Sequence, residues 1–589
     1  MTDQTGETGQ TGQTKISLPV YGVVGLGSIG ESLLRLLHAA GHAVIAVDTD
    51  LDVLARVDKR LKALDGGPSG PEITFTADHS LLRSAGLIVE AVPDSAAAKS
   101  RVLHQITAAC EPGTPILTST AGQSVARLAI ATGRPADVAG LRFFTPPVPG
   151  APVVPVRTAL TSASTAEATD ALVAAASLVP VEVGAGPAAD ATALVLGLLN
   201  RSVVLCSEGY ATQADIDTAM RLGCGLPQGP LEMLDHIGLD TAHEALTGLW
   251  RRTGDCAFEP APLLSRMVAD ERYGRKTGDG FYAYDECGDK LAPAADGPAV
   301  SGARTVRRVG VVGSGAMARG IAEVTAAAGH PTVLVARGAD KAAQALEAIA
   351  ESLTRGVRRG KVTVETKAAA LELLSGAHEL SSLADCDLVI EAVAEDLDVK
   401  RAVFTALGEA CAPGTVLATT TSSLSVAACA EAAGRPGDVV GIHFFNPAPV
   451  MKLVELVRTD TVAPDVLATA LAFCRGLGKT TVPCPDRTGF IVNSLLFPYL
   501  GAAMALLDRP GTDIEVTDSA VQRGFGYPMG PFALLDTIGL DVSLAIQDRL
   551  YERFMTPEYE PSAPLAELVG AGFLGRKNKR GLRTGGATR

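Results

Sequence analysis

Two segments of the chain show the same order of apolar and polar residues. Residues 20–48, "VYGVVGLGSIGESLLRLLHAAGHAVIAVD", begin with a short β-rich run, continue through a glycine turn into an Ala/Leu-rich segment of helical spacing, and end in a second apolar run. Residues 306–336, "VRRVGVVGSGAMARGIAEVTAAAGHPTVLVA", repeat this order. A strand–helix–strand unit of this kind opens a doubly wound parallel sheet. The pattern therefore predicts two α/β domains.

The pattern becomes helical toward the end of each half. Strand alternation is absent there, and segments such as "DIDTAMRLG" (215–223) show helical spacing. The uncharged run at 489–507 is long enough to raise the question of a membrane span, but it contains Asn493, Pro498 and Tyr499. We expect a buried helix at this position.

The two halves are copies of each other. Residues 225–240 match 526–541, and residues 86–92 match 387–393, both at an offset of 301. The glycine turns pair at an offset of only 288, since "GLGSIG" starts at position 25 and "GSGAMA" at position 313. The constant offset over most of the length indicates a tandem duplication. The first copy must be shorter than the second, by the difference between the two offsets, somewhere between positions 48 and 86.

The expected fold class is α/β plus all-α, with two Rossmann-type doubly wound domains that are each followed by a helical domain. A chain of 589 residues is too long for one hydrophobic core, which agrees with several domains. The predicted parts are a flexible tail (1–15), a Rossmann-type domain (16–185), its helical domain (186–290), a linker rich in Pro, Ala and Gly (291–304), a second Rossmann-type domain (305–484) and its helical domain (485–589).

Composition narrows the class of function. The net charge of −14 argues against nonspecific nucleic-acid binding, which requires a basic surface. Ten cysteines occur singly, without C-x-x-C or a His/Cys cluster at zinc spacing, so we expect no metal site. The polar residues 1–15 lack the apolar region of a signal peptide. We therefore expect a cytoplasmic protein without nucleic-acid or membrane partners.

The glycine turn of the first copy fits the binding of a dinucleotide. Gly25 and Gly27 would allow the backbone to approach a pyrophosphate at a helix N-terminus, and Gly30 would allow close packing of helix and strand. Asp48, at the end of the next strand, could accept hydrogen bonds from a ribose 2′-hydroxyl. The alternative is a βαβ turn without a ligand.

The glycine turn of the second copy differs at the acidic position. Gly313 and Gly315 are retained, and the small residue Ala318 takes the third position. Ala336 and Arg337 stand where the first copy has its aspartate. Loss of the carboxylate beside an arginine removes repulsion toward a 2′-phosphate, so NADP stays open as the cofactor. We favour NAD, with Arg337 facing the adenine edge or solvent.

Several motifs of the second copy occur in the same order in one enzyme family. These are "GSGAMARGIA", "DLVIEAVAEDLDVK", "TTSSLS", "GIHFFNPAPVMKLVELV", "GFIVNSLL" and "YPMGPFALLDTIGLD". Over residues 305–589 the chain resembles the short-chain L-3-hydroxyacyl-CoA (3-hydroxybutyryl-CoA) dehydrogenases. The resemblance implies reversible conversion of (S)-3-hydroxyacyl-CoA to 3-oxoacyl-CoA with a nicotinamide cofactor.

The resemblance also implies roles for individual residues. His443 would be the base that accepts the hydroxyl proton, and Glu455 the carboxylate that orients its imidazole. Ser422 and Asn493 would hydrogen-bond the substrate hydroxyl and the acyl carbonyl. Glu395 and Lys400 stand at positions that contact the cofactor in this family. Lys361 stands at a position that contacts the phosphate of CoA.

The first copy lacks these catalytic residues. At the offset of 301 it has Ala121, Arg142, Val154 and Thr192 in place of the serine, histidine, glutamate and asparagine. Arginine cannot serve as a base near neutral pH. The first copy is therefore expected to be inactive, while its nucleotide turn is retained.

Three further expectations concern assembly and function. Members of the resembled family pair through their helical domains, so residues 186–285 and 485–575 could form an intramolecular pseudo-dimer, with a homo-oligomer as the alternative. The same chemistry on a carrier-bound acyl group or a sugar acid is a second candidate function. A nucleotide-binding scaffold without catalysis is a third.

Overall fold

The computed structural model describes residues 19–64, 71–93, 95–120, 123–143, 146–149, 151–180, 187–275, 277–285, 289–291, 302–509 and 512–583. The chain divides into two compact units, 1–182 and 183–589. The predicted tail and most of the predicted linker lie outside the described residues.

The first unit is a parallel sheet with helices between its strands. The described strands are β1 (Tyr21–Val24), β2 (Val44–Val47), β3 (Ile73–Thr76), β4 (Leu87–Glu90), β5 (Ile116–Ser119), β6 (Val138–Phe143), β7 (Pro152–Val156) and β8 (Val179–Pro180), and the helices are α1 (Ser28–Ala39), α2 (Leu51–Leu64), α3 (Ala96–Ala109), α4 (Val125–Ala131) and α5 (Ala163–Ala175). The strand order is β3-β2-β1-β4-β5-β6-β7-β8, and β6 and β7 pair antiparallel.

The helical domain of the first copy opens the second unit. Its described helices are α6 (Pro187–Ser207), α7 (Gln213–Cys224), α8 (Pro230–Ile237), α9 (Leu239–Thr253) and α10 (Pro262–Ala269). Within α6 the stretch Asp190–Ser207 is long and apolar enough to cross a membrane by length and composition, and 56% of it is buried inside the structure.

The second sheet repeats the topology of the first, in the order β11-β10-β9-β12-β13-β14-β15-β16 with β14 and β15 antiparallel. Its elements are β9 (Val309–Val312), α11 (Ala316–Ala327), β10 (Thr332–Val335), α12 (Ala339–Arg358), α13 (Val364–Leu373), β11 (Leu374–Ala377), β12 (Leu388–Glu391), α14 (Leu397–Ala410), β13 (Val416–Thr419), α15 (Val426–Ala432), β14 (Val439–Phe444), β15 (Leu453–Arg458), α16 (Pro464–Gly476) and β16 (Thr480–Pro485). The central strands are buried because helices cover both faces of the sheet.

The chain ends in a second helical domain. Its helices are α17 (Val492–Ala505), α18 (Ile514–Phe525), α19 (Pro531–Ile538), α20 (Leu540–Phe554) and α21 (Ala563–Gly570). Helix α17 lies within the uncharged run 489–507, and most of its residues are buried. The expectation of a buried helix is confirmed, as is the fold class of two Rossmann-type domains each followed by helices.

The structure narrows the position at which the first copy is shorter. Helices α2 and α12 begin at Leu51 and Ala339, still at the offset of 288, whereas strands β3 and β11 begin at Ile73 and Leu374, at the offset of 301. The difference therefore arises between the start of α2 and β3. In the second copy this interval holds the longer α12 and the additional helix α13.

The two helical domains pack against each other within the second unit. Helix α6 of the first copy contacts α17 and α18 of the second. Arg201 on α6 donates from Nη1 to Glu558 (2.8 Å) and from Nη2 to the hydroxyl of Tyr559 (2.7 Å). The helical parts of the pseudo-dimer expected from the sequence are therefore in contact.

Candidate active site

A β-hairpin brings His443 and Glu455 together. Strands β14 and β15 pair antiparallel in a register that places these two residues directly opposite each other, so their side chains lie on the same face. His443 Nδ1 lies 2.7 Å from Glu455 Oε2, and the exposed fractions are only 5% and 0%. The expected contact between the two side chains is observed.

The second oxygen of Glu455 is held by the start of α17. The backbone amides of Ile491 and Val492 donate to Oε1 at 3.0 and 2.9 Å. A helix N-terminus favours a carboxylate, and the two amides and the imidazole surround Glu455 with hydrogen-bond partners. With Glu455 on Nδ1 of His443, the other ring nitrogen, Nε2, is the one that can face a substrate.

Asn493 and Ser422 are joined by the same helix start. Asn493 directly follows Val492, and its side-chain Nδ2 donates to the backbone carbonyl of Ser422 at 3.3 Å. Asn493 is buried, and Ser422 is half-buried in the loop after β13. A continuous series of contacts therefore links all four predicted catalytic residues through the N-terminus of α17.

Glu395 fixes the loop that carries Ser422. Its Oε1 accepts hydrogen bonds from the hydroxyl of Thr421 (2.6 Å) and from the amide of Ser422 (2.8 Å). Burial by itself would raise the pKa of Glu395, but Lys400 and these two donors outweigh it, so the pKa lies below its ordinary value. The ionised carboxylate is the form that holds the loop.

Lys400, which the resemblance places at the cofactor, is buried against two carboxylates. Its side chain is 1% exposed, and Nζ lies 2.8 Å from Oε1 of Glu391 and 3.5 Å from Oε2 of Glu395. Thr419 donates to the other oxygen of Glu391 at 2.8 Å. Lys400 therefore joins Glu391 to Glu395, and Glu395 in turn holds the amide of Ser422.

Three contributors to this region were missed at the sequence level, Glu391, Thr419 and Arg549. A signal existed for the first two, because the same cluster recurs in the first copy, at the offset of 301, as Glu90, Lys99 and Thr118. Arg549 on α20 donates to the carbonyl of Glu395 (2.8 Å) and to Ser423 Oγ (3.1 Å). No local pattern marks it, since its partners are 126 and 154 residues away.

The nucleotide turn of the second copy has room for a pyrophosphate. Gly313 adopts φ +130°, and a Cβ there would lie 2.4 Å from the carbonyl of Ala392, so this turn requires glycine. Gly315 precedes α11 without a side-chain cap, and no protein atom lies within 4 Å of where its Cβ would be. Ala318 is fully buried, and Arg337 is exposed. The turn fits NAD.

The turn of the first copy has the same form. Gly27 faces open space, whereas a Cβ on Gly30 would lie 1.9 Å from the carbonyl oxygen of Gly25. The Asp48 carboxylate accepts from the amides of Leu26 (2.8 Å) and Asp50 (3.0 Å). The carboxylate therefore stands beside the glycine turn, where a ribose would lie.

The hairpin of the first copy carries different side chains at the two paired positions. Arg142 on β6 is opposite Val154 on β7, the same register positions as the histidine and the glutamate of the second copy. Arg142 Nε donates to the carbonyl of Thr120 at 3.4 Å. Thr192 lies in α6, and Ala121 lies outside the described residues.

Lys361, predicted to contact CoA, lies on the surface of the second Rossmann-type domain. It is exposed in the turn between α12 and α13, and its amide donates to the carbonyl of Gly356. Helix α13 belongs to the interval that is shortened in the first copy.

Comparison with known proteins identifies the family. The model of the 3-hydroxyacyl-CoA dehydrogenase NAD binding domain matches residues 20–186 and 308–487, and the model of the C-terminal domain of that enzyme matches 191–284 and 489–584. The fold and the site together define a nicotinamide-dependent oxidoreductase. The chain belongs to the 3-hydroxyacyl-CoA dehydrogenase family, in tandem-duplicated form.

Characterised relatives have the length of one copy or contain further regions. A 3-hydroxybutyryl-CoA dehydrogenase of Mycobacterium tuberculosis is 43% identical over 47% of this chain and 98% of its own length. A 3-hydroxyadipyl-CoA dehydrogenase of Escherichia coli is 42% identical over 47% of this chain and 58% of its own length. The solved structure of an (S)-3-hydroxybutyryl-CoA dehydrogenase from Ralstonia eutropha is 35% identical and covers 48% of this chain and all of its own, with a TM-score of 0.47.

Proposed function

We propose that the second copy alone catalyses the interconversion of (S)-3-hydroxyacyl-CoA and 3-oxoacyl-CoA. The observation that carries this proposal is the buried His443–Glu455 pair, whose positions in the first copy hold Arg142 and Val154. The pair supplies a base, and an arginine opposite a valine does not.

Each of the four residues has a defined task in this proposal. Bound NAD supplies the acceptor for the hydride that leaves the substrate alcohol. His443 Nε2 accepts the hydroxyl proton, while Glu455 holds Nδ1 and stabilises the imidazolium. The Ser422 hydroxyl and the Asn493 amide hydrogen-bond the reacting oxygen and the acyl carbonyl. In the reverse direction the protonated histidine returns its proton to the alkoxide oxygen.

Coenzyme A is the proposed carrier of the acyl group. The exposed Lys361 can meet a phosphate of CoA, and the named relatives act on CoA thioesters. The test follows NADH absorbance with acetoacetyl-CoA, acetoacetate and a 3-oxoacyl carrier protein. We expect rapid NADH oxidation with the CoA thioester only. Faster turnover of either alternative substrate would contradict the assignment of CoA.

Cofactor choice gives a further prediction. We expect wild type to have a higher kcat/KM for NADH than for NADPH. Because Arg337 is exposed and an arginine there could pair with the 2′-phosphate that NAD lacks, Arg337→Ala should lower kcat/KM for NADPH by about tenfold and leave that for NADH nearly unchanged. A marked preference of wild type for NADPH that is lost in this variant would overturn the choice of NAD.

The first copy is proposed to bind NAD without turnover. Wild type should therefore bind two NADH molecules per chain in calorimetric titration. Gly27→Asp should reduce this to one, since the new carboxylate would stand at the pyrophosphate position without meeting protein atoms. Turnover of acetoacetyl-CoA should not change. Binding of a single NADH by wild type would contradict this role.

A further inference from the structure

A helix of the first copy packs against the catalytic hairpin of the second. Helix α7 contacts strands β15 and β16 and the start of α17. The closest approach is at Gly223, where a Cβ would lie 2.9 Å from Leu453 Cδ2, 3.0 Å from Val492 Cγ2 and 3.4 Å from Phe445 Cε1. Any larger residue at this position would have to displace these side chains.

All three neighbours of Gly223 belong to the surroundings of the His–Glu pair. Leu453 lies two residues before Glu455 on β15. The amide of Val492 donates to Glu455 at 2.9 Å, and the ring of Phe445 lies 4.7 Å from the ring of His443. A shift of any of these three residues would therefore change the position of His443 or Glu455.

The electrostatics of α7 agree with this proximity. The residue after Gly223 is Cys224, whose half-buried thiol has its pKa raised to about 12 by desolvation. The charge of Glu455 adds to that rise.

A second contact lies at the segment that leads into α17. Tyr210, just before α7, donates its hydroxyl to the carbonyl of Pro485 at 3.0 Å. The guanidinium of Arg487 lies 5.1 Å from the Tyr210 ring and pairs with Glu208 at 2.6 Å. The carbonyl of Arg487 accepts the amide of Phe490, immediately before the two amides that hold Glu455. The first copy thus contacts the segment 485–492 at both ends, through Tyr210 at Pro485 and through Gly223 at Val492.

We propose that Gly223 and Tyr210 are positioning residues for the reaction, so that the inactive copy completes the active site of the other. The proposal rests on the proposed function, in which the second copy is the catalytic one. Glu455 is fully buried, and its orientation depends on the amides at the start of α17. Small displacements of reacting groups have large effects on rate. This role would explain why the first copy is retained, because its helix α7 covers strand β15 and the start of α17.

The main test is Gly223→Ala in the full chain. Alanine favours the helix more than glycine does, and this gain offsets the cost of crowding the neighbouring side chains, so the melting temperature should change little. The added methyl group should displace Val492 and Leu453 by a few tenths of an ångström and lower kcat about three- to tenfold, with the KM for NADH unchanged. The matched control is Gly524→Ala at the equivalent position of α18, which should leave kcat unchanged.

A double-mutant cycle separates positioning from general damage. If Gly223 acts through Glu455, the effect of Gly223→Ala on kcat should disappear in the Glu455→Gln background. Independent, multiplicative effects would overturn the proposal, as would equal losses from Gly223→Ala and Gly524→Ala.

Tyr210→Phe keeps the ring on Arg487 and removes the hydroxyl, which hydrogen-bonds the Pro485 carbonyl and the Cys484 thiol. We expect kcat to fall about two- to threefold at unchanged KM for NADH. Tyr284→Phe, which loses a hydroxyl contact to Asp235 on α8 within the first helical domain, is its control and should leave kcat unchanged. Equal kcat for Tyr210→Phe and wild type would contradict the role of Tyr210.

Failure of this inference is distinguishable from failure of the proposed function. If only the inference is wrong, His443→Ala abolishes turnover while Gly223→Ala retains the kcat of wild type. If the second copy is not the catalytic one, His443→Ala itself retains turnover.

Discussion

Replacement of His443 by alanine is expected to lower kcat for acetoacetyl-CoA reduction by roughly 10²–10⁴-fold, the usual contribution of a positioned acid–base group. The imidazole is the proposed acid–base group of the hairpin, and Glu455 fixes its orientation at 2.7 Å. Steady-state NADH oxidation measures the loss. Binding of NADH, followed by its fluorescence, should be unchanged.

The first copy provides a matched control for this experiment. Arg142 occupies the same position of its hairpin, opposite Val154. We expect Arg142→Ala to leave kcat within about twofold of wild type, because an arginine does not exchange protons in this pH range. Equal losses in the two variants would place both copies in the reaction.

Replacement of Lys400 by methionine should have the largest effect on stability. The change leaves the carboxylate of Glu391, 0% exposed, without its cation, and breaking a buried pair in this way costs about 3–5 kcal/mol. We expect a lower urea midpoint for the second Rossmann-type domain. NADH binding should also weaken, because Glu395 loses the ammonium 3.5 Å from Oε2 and holds the Ser422 loop less firmly.

Lys99→Met is the corresponding variant of the first copy. Lys99 is fully buried and lies 2.9 Å from Glu90, so a comparable loss of stability is expected there. The kcat for acetoacetyl-CoA should be affected only by Lys400→Met. Adding Glu391→Gln to Lys400→Met should restore part of the stability, because the unpaired buried charge is then removed. An unchanged urea midpoint in Lys400→Met would show that the pair is not stabilising.

Much of the candidate site could be predicted from local patterns. Gly313 and Gly315 follow a short apolar run and precede a helical pattern, which suffices to predict a nucleotide turn. The resemblance pairs His443 with Glu455, and the hairpin places them opposite each other. The offset of 301 identifies Arg142 as the residue of the first copy that corresponds to His443, and this step needs no knowledge of the fold.

Contacts between distant segments could not be predicted in this way. Periodicity indicates which face of an element is buried but not which element covers it. The burial of Lys400 against Glu391 could not be predicted either. The two residues are only nine positions apart, but one lies at the end of β12 and the other in α14, and their contact depends on how this helix packs on the sheet. The same holds for Arg549, whose contacts to Glu395 and Ser423 depend on how α20 packs.

Local periodicity and residue identity were enough to predict the duplication, the alternation of Rossmann-type and helical domains, and the restriction of the ionisable pair to one copy, since none of these needs long-range information. The folded chain was needed to show that the start of α17 holds Glu455 and that Gly223 of the first copy packs against that helix start. Such contacts join segments far apart in the chain, and close packing selects them only when all the helices and strands are in place.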